Sequence, residues 1–100
     1  MYPRRINHPE PAAFTDRSGT TTATTSVTVM AANASRQYVF FQNVSDTDMW
    51  IDFGTAATNN QPSMKITPGS SFVMEGSIIN TSSVLVYCTA GSKAFTAKEA

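Results

Sequence analysis

Histidine is almost missing from this chain. His8 is the only one, and it stands between Asn7 and Pro9, where nothing nearby would hold an imidazole in fixed geometry, so a His-based catalytic triad is excluded. Cysteine is as scarce: Cys88 alone cannot form an intrachain disulfide, and the chain is not a disulfide-stapled secreted module. It lies in the apolar run VLVYC with no basic neighbour, and reads as a small buried hydrophobe, not a reactive thiol. Charge is sparse and balanced. Seven Lys and Arg face seven Asp and Glu, which gives no electrostatic footprint for nucleic acid or an anionic membrane.

Other absences narrow the field further. No apolar run approaches the roughly 18 residues of a membrane span. Residues 1–13 hold two arginines but no apolar h-region, so a secretory signal is not expected there. A soluble protein made in the cytosol follows. Phosphate cradles, dinucleotide fingerprints and CxxC zinc spacings are all missing, so no cofactor and no metal are expected. Asp46, Asp48 and Asp52 gather near one turn, but without the glycine and distal glutamate of a calcium loop they read as turn caps and solvated charge. Convergent titratable groups are lacking, and an enzyme is not expected.

What the chain does have is strand. Residues 38–44 and 49–53, YVFFQNV and MWIDF, are rich in large apolar residues and flank the polar link Ser45-Asp46-Thr47-Asp48, a pattern that predicts a central hairpin. Tyr38, Phe40 and Gln42 project to one side of the first strand, and Val39, Phe41 and Asn43 to the other. Both sides carry an aromatic. A strand that covers a single core normally has one polar face, so this one predicts burial against a partner subunit.

The remaining strands follow from alternation and turn chemistry. Thr20 to Ala32 reads as a half-buried first strand with a more exposed threonine-rich beginning, Val27 and Val29 on one face, and Thr28 and Met30 on the other. Residues 54–63 are a loop by composition. Thr67-Pro68-Gly69-Ser70 predicts a type II turn between short strands at 64–67 and 71–75. Residues 84–88 place Val84, Val86 and Cys88 inward and Leu85 and Tyr87 outward, and residues 93–98 form a last strand whose terminal lysines suit a protected sheet edge. The expected fold is all-β, a small antiparallel β-sandwich or jelly-roll-like barrel of about seven strands, spanning residues 20–100.

Residues 1–19 are different in kind. Pro3, Pro9 and Pro11 remove backbone donors, and the segment reads as an extended N-terminal arm. Two fates are open to it: a loose tail, or an arm ordered along a neighbouring molecule through Tyr2, Ile6 and Phe14 as anchors and Arg4, Arg5 and Arg17 as charge contacts.

Read as a series, residues 35–54 (SRQYVFFQNVSDTDMWIDFG), 64–76 (MKITPGSSFVMEG) and 84–99 (VLVYCTAGSKAFTAKE) resemble the small β-sandwich structural proteins that tailed bacteriophages place on their virions. The shared marks are an arginine-led strand ending in Q-N-x-S, a strand ending in I-x-F-G, a P-G turn before an aromatic, and a closing G-x-x-x-F strand. The resemblance covers residues 35–99 and leaves the arm unmatched. It implies a virion protein on the capsid exterior, assembled in the host cytoplasm, of the head decoration or cement type. Such a protein binds the major capsid protein as a homo-oligomer, a trimer. In that setting the arm, with Tyr2, Arg4, Arg5, Ile6, Phe14 and Arg17, would contact the capsid. Val39, Phe41, Trp50 and Tyr87 would form the oligomer interface. The other implied role is a receptor- or glycan-binding module of a head or tail fibre, in which Trp50 would stack on a sugar ring.

Overall fold

The computed structural model describes residues 13–100. Their strands, in chain order, are β1 (Thr15–Asp16), β2 (Gly19–Thr20), β3 (Thr25–Met30), β4 (Tyr38–Asn43), β5 (Met49–Phe53), β6 (Met64–Ile66), β7 (Ser71–Glu75), β8 (Val84–Cys88) and β9 (Ala94–Glu99). A single 3-10 turn, Gly76–Ile78, is the one helical element among the described residues. The long strands are β-branched and aromatic, and their burial alternates residue by residue, as a pleated strand with one core-facing side requires.

These strands form two antiparallel sheets. In sheet A the order is β1-β9-β4-β7, with β2 also paired to β9; in sheet B it is β3-β8-β5-β6. The pairs nest. β5 pairs with β6, β4 with β7, β3 with β8, and β1 and β2 with β9, so the chain doubles back at residues 54–63 and pairs outward from its middle. Folding that long ribbon over on itself adds the β4–β9 and β5–β8 pairs that complete each sheet.

This topology corrects the expected hairpins. β4 and β5 belong to different sheets, so residues 44–48 form a corner between layers and not a hairpin turn. The Pro68-Gly69 turn between β6 and β7 and the Gly91 turn between β8 and β9 also change sheets. Polar turn residues signal a reversal of direction, and a reversal can return a chain in its own sheet or in the facing one. β9 lies between β4 and the β1/β2 pair, so Lys98 does not guard an edge.

The core holds Val39 and Phe41 of β4, Met49 and Ile51 of β5, Val84, Val86 and Cys88 of β8, and Phe95 and Ala97 of β9, closed by Val29, Met30 and Ile66. Phe41 stacks between Phe95 and Phe72 at centroid distances of 5.3 and 6.0 Å. Val39 and Phe41 are 0% exposed, which removes them from the expected oligomer interface: they line the inside of the sandwich. The face chosen for burial is the one with Asn43. That polar side chain is fully satisfied, donating from Nδ2 to the Thr47 and Ile66 carbonyls and accepting at Oδ1 from the Ser45 amide and hydroxyl. Satisfied in this way, a buried amide carries little penalty, and it pins the corner to β6.

Two local details also depart from simple alternation. A register shift between Thr28 and Met30 turns both Val29 and Met30 inward, where strict alternation would have separated them. β1 and Gly19 of β2 lie within the stretch read as an arm, and both strands pair with β9, so pairing with the sandwich starts at Thr15.

Candidate functional site

The surfaces available for recognition are the outer faces of the two sheets. On sheet A, β4 projects Tyr38, Phe40 and Gln42 away from the core. The ladder sets Phe40 between Lys98 of β9 and Val73 of β7, and Tyr38 beside Glu75. Phe14 extends the strip, its ring 5.0 Å from that of Tyr38. Phe14 is 57% and Val73 46% exposed, an apolar band too wet for a surface that only covers its own core. Lys98 on the β9 side and Glu75 on the β7 side stand beside it. Among the described residues neither Lys98 nor Glu75 takes part in an ion pair. Asp16 lies across the ladder from Lys98, and its carboxyl is held below its ordinary value by Ser18 hydrogen bonds first and by the Lys98 charge last.

Sheet B presents a second aromatic surface. Trp50 and Tyr87 are cross-strand partners on its outer face, both half-buried. Lys65, the partner of Trp50 on β6, holds its ammonium 5.7 Å from the indole centroid and 3.3 Å from an Asp48 oxygen. The 54–63 loop reaches back across this face. The Ala57 amide donates to Ser26 Oγ on β3 at 2.9 Å, and Ser63 Oγ donates to Asp52 Oδ2 at 3.0 Å while accepting from the Thr58 amide. One end of the face is thereby covered, and Trp50 and Tyr87 remain at the margin.

A buried ionic cluster holds the two sheets in register at the other end of β4. Arg36 is fully buried; it donates to Glu99 Oε1 at 2.9 Å and to the carbonyls of Asn80, Ser82 and Ala31. Glu99 also accepts from Arg17 Nε at 2.7 Å and from Asn33 Nδ2. Burial alone would raise the Glu99 pKa. The bonds from Arg36, Arg17 and Asn33 and the charge of Arg36 outweigh it and hold the carboxyl below its ordinary value. All three Arg36 side-chain nitrogens and both Glu99 oxygens have partners within the fold, so the cluster is a structural clamp.

The residues singled out from sequence separate accordingly. Trp50 and Tyr87 do share an outer face, whereas Val39 and Phe41 lie in the core. Phe14 packs on Tyr38 and Arg17 is tied to Glu99. Tyr2, Arg4, Arg5, Ile6 and His8 fall outside the described residues. The three aspartates near the β4–β5 corner disperse: Asp46 pairs with Lys93, Asp48 with Lys65, and Asp52 accepts from Ser63 and the Phe53 amide. Among the described residues no group of three or more His, Cys, Asp or Glu could hold a metal ion, and no helix is long and apolar enough to cross a membrane.

Sequence reasoning missed Tyr38, Phe40 and Val73 as surface residues and Glu99 as a buried one. For Tyr38 and Phe40 the alternation was legible, but which side faced inward was not. No family model matches this chain, and no characterised protein and no solved structure matches it.

Proposed function

We propose that this chain is a structural protein of a tailed-phage virion, a non-enzymatic decoration or cement protein that binds the major capsid protein lattice on the capsid exterior as a homotrimer. The observation that carries the reading is that both outer faces of so small a sandwich bear aromatic residues, Phe14, Tyr38 and Phe40 on one and Trp50 and Tyr87 on the other. A domain of this size buries a modest share of its surface, and neighbours in an ordered array supply the rest. The marks behind the resemblance occupy structural posts: Arg36 in the buried clamp, Asn43 in the corner, and Gly54 and Gly69 at positive φ in turns. They support a shared scaffold. The strand order supports reading the sandwich as a jelly roll, an architecture used by viral capsid and lectin domains.

The physics of the role is linkage. A ligand that binds only the assembled shell adds its binding free energy to the stability of that state, and repetition over the lattice multiplies a modest contact. The arm residues Tyr2, Arg4, Arg5 and Ile6 reach the capsid in this reading, with Phe14 and Arg17 as the root that fastens them to the sandwich. The test is co-sedimentation of the purified protein with undecorated shells of the virus that encodes it. Full-length protein binds in a saturable ratio, and protein lacking residues 1–12 stays folded but loses shell binding. Full occupancy by the truncated protein would eliminate the arm, and failure of the full-length chain to bind would eliminate the role.

A second reading has one observation in its favour. Trp50 and Tyr87 are cross-strand partners on the outer face of sheet B, with the Lys65 ammonium over the indole ring and Asp48 paired to it, and an aromatic with polar neighbours on a sheet face is a surface on which a sugar ring can stack. That would make the chain a glycan- or receptor-binding module of a head or tail fibre. Binding on a glycan array that disappears with Trp50→Ala supports it, and a silent array with shell binding intact rejects it.

A further inference from the structure

We propose that, before it meets a shell, each copy of this chain lays residues 4–8 as an antiparallel strand along the open edge of β7 in a second copy. Arg4 then stands opposite Glu75, Ile6 opposite Val73 and His8 opposite Ser71. This goes beyond the role proposed above, since it names the partner of a sheet edge in the unbound protein.

The first argument is the edge itself. β7 ends sheet A on one side and, among the described residues, pairs with β4 alone. The Asn43 amide donates to the Ser70 carbonyl at 3.0 Å, and Tyr38 and Ala100 exchange both backbone bonds on the β9 side, which fixes the alternation of the ladder. Phe72 and Met74 therefore direct their backbone groups at β4, and Ser71, Val73 and Glu75 turn theirs outward. All three are exposed, and no loop backbone among the described residues bonds to them. The other edges are blunted: β1 and β2 have two residues each, β6 has three, and β3 is broken by its register shift. β7 has five residues, with no proline, lysine or irregularity among them. Such an edge is a template for an added strand.

The sequence of the arm supplies the complement. The proline-free run RRINH, residues 4–8, lies between Pro3 and Pro9 and matches β7 in length. Pro3, Pro9 and Pro11 all stand at odd positions, so in an extended strand their missing donors fall on the side away from β7, while Arg4, Ile6 and His8 present amides to it. Residues directly opposite one another share a face of the sheet. Arg4 thereby meets Glu75, which is in no ion pair with a described residue, and Ile6 covers the 46% exposed Val73 beside Phe40. A parallel strand would set Arg4 against Ser71 and lose the charge pair.

Reach decides whose arm it is. Phe14 is level with the Glu75 end of sheet A, on the β1 side, whereas His8 would stand at the Ser71 end, beyond β7. Four strand spacings of about 4.8 Å and four residues of about 3.4 Å separate the two by roughly 23 Å. Six residues span at most ~20–22 Å, and the path would have to climb over the Phe40 side chain. The strand therefore comes from a second copy, in a head-to-tail contact where each copy gives one arm and accepts one.

The experiment is disulfide trapping between two differently tagged full-length proteins, one with Ile6→Cys and the other with Val73→Cys, mixed in an oxidising buffer. The mixed link is read on a non-reducing gel and by mass spectrometry, with circular dichroism as a check of folding. Opposite residues of a bonded antiparallel pair stand about 5.5 Å apart at Cα, within disulfide reach, and the native Cys88 is buried. The mixed link forms at least tenfold faster than one between Arg5→Cys and Val73→Cys, whose side chains fall on opposite faces. Arg4→Cys with Glu75→Cys links in the same way, which keeps the test open if Val73→Cys does not fold. Equal rates at positions 5 and 6, or no mixed link, would overturn the pairing. A link that forms only within one chain carrying both cysteines would overturn the second copy as donor. Shell binding is read separately by co-sedimentation, so loss of this pairing leaves the decoration role standing, and loss of shell binding leaves the pairing.

Discussion

Glu99→Gln tests the buried clamp with the least change of shape. The amide keeps the volume of the carboxyl and still accepts from Arg36 through its oxygen, but the negative charge that faces Arg36 and Arg17 is gone, and an NH2 now meets a second donor. The Arg36 side chain is 0% exposed and cannot turn to water. Its three carbonyl partners, on Asn80, Ser82 and Ala31, soften the loss without neutralising the charge. Breaking one side of a buried ion pair costs about 3–5 kcal/mol, and those carbonyls place this site near 3. Against a total stability of about 5–15 kcal/mol for a domain, that is a large share. Arg17 is 46% exposed on its side chain, so Arg17→Ala costs no more than about 1 kcal/mol.

The assay is urea unfolding at pH 7 followed by tryptophan fluorescence, then repeated at falling pH. Glu99 has a folded-state pKa below the ordinary value of 4.5, so its stabilisation is complete above that value and is lost as pH falls from about 4.5 through the lowered folded pKa. Wild type therefore loses stability in that window with a steeper acid slope than Glu99→Gln. A Glu99→Gln protein within 1 kcal/mol of wild type at pH 7, with an unchanged acid slope, would refute the clamp.

Other substitutions probe the fold at separate points. Phe41→Ala should cost about 3–5 kcal/mol in urea unfolding and Phe40→Ala below 1 at concentrations where the protein is monomeric, because only the first empties the core. Asn43→Ala removes the donor for two carbonyls and the acceptor for Ser45 at the sheet-to-sheet corner, and should lower the urea-derived stability by about 2–4 kcal/mol. Thr24, a β-branched residue at φ +49 in the β2–β3 connection, should become about 0.5–1 kcal/mol more stable as Gly, read from the shift in urea midpoint.

Strand positions were legible in the sequence because alternation and turn residues are local signals. Residues 84–88 and 93–98 show this: inward Val84, Val86 and Cys88 stand so in the sandwich, and Phe95 and Ala97 share one face, which is the buried one. Pairing was not legible, since Ser45 to Asp48 would close a hairpin as readily as a corner, and the contacts that choose between them come from distant β6, β8 and β9. The inner face of β4 was misassigned for a related reason. Asn43 looks like an outward residue until Thr47 and Ile66 supply its partners, and Ile66 is 23 residues away. Glu99 could not be recognised as buried until Arg36 and Arg17 were brought to it. Of the candidate surface, Trp50 and Tyr87 were found because outward Tyr87 follows from the clear alternation of β8. Tyr38, Phe40 and Val73 were missed with the face they share.

Surface aromatics on both sheets would be a liability for an isolated protein, since an exposed apolar strip invites indiscriminate association. Charged flanks on sheet A and the folded-over loop on sheet B limit which partners can approach. Beneath the strip the scaffold is braced: β4 is paired on both sides, and Phe41 stacks with Phe72 and Phe95 on its inner side. Binding by such a surface costs little ordering of the backbone.

The most direct test of the account is an electron cryomicroscopy map of virions of the virus that encodes this chain. The account predicts copies of this sandwich on the outer surface of the capsid, in threes, with residues 1–12 on the major capsid protein. A capsid surface without this density, or the sandwich bound only as separate single copies, would contradict it.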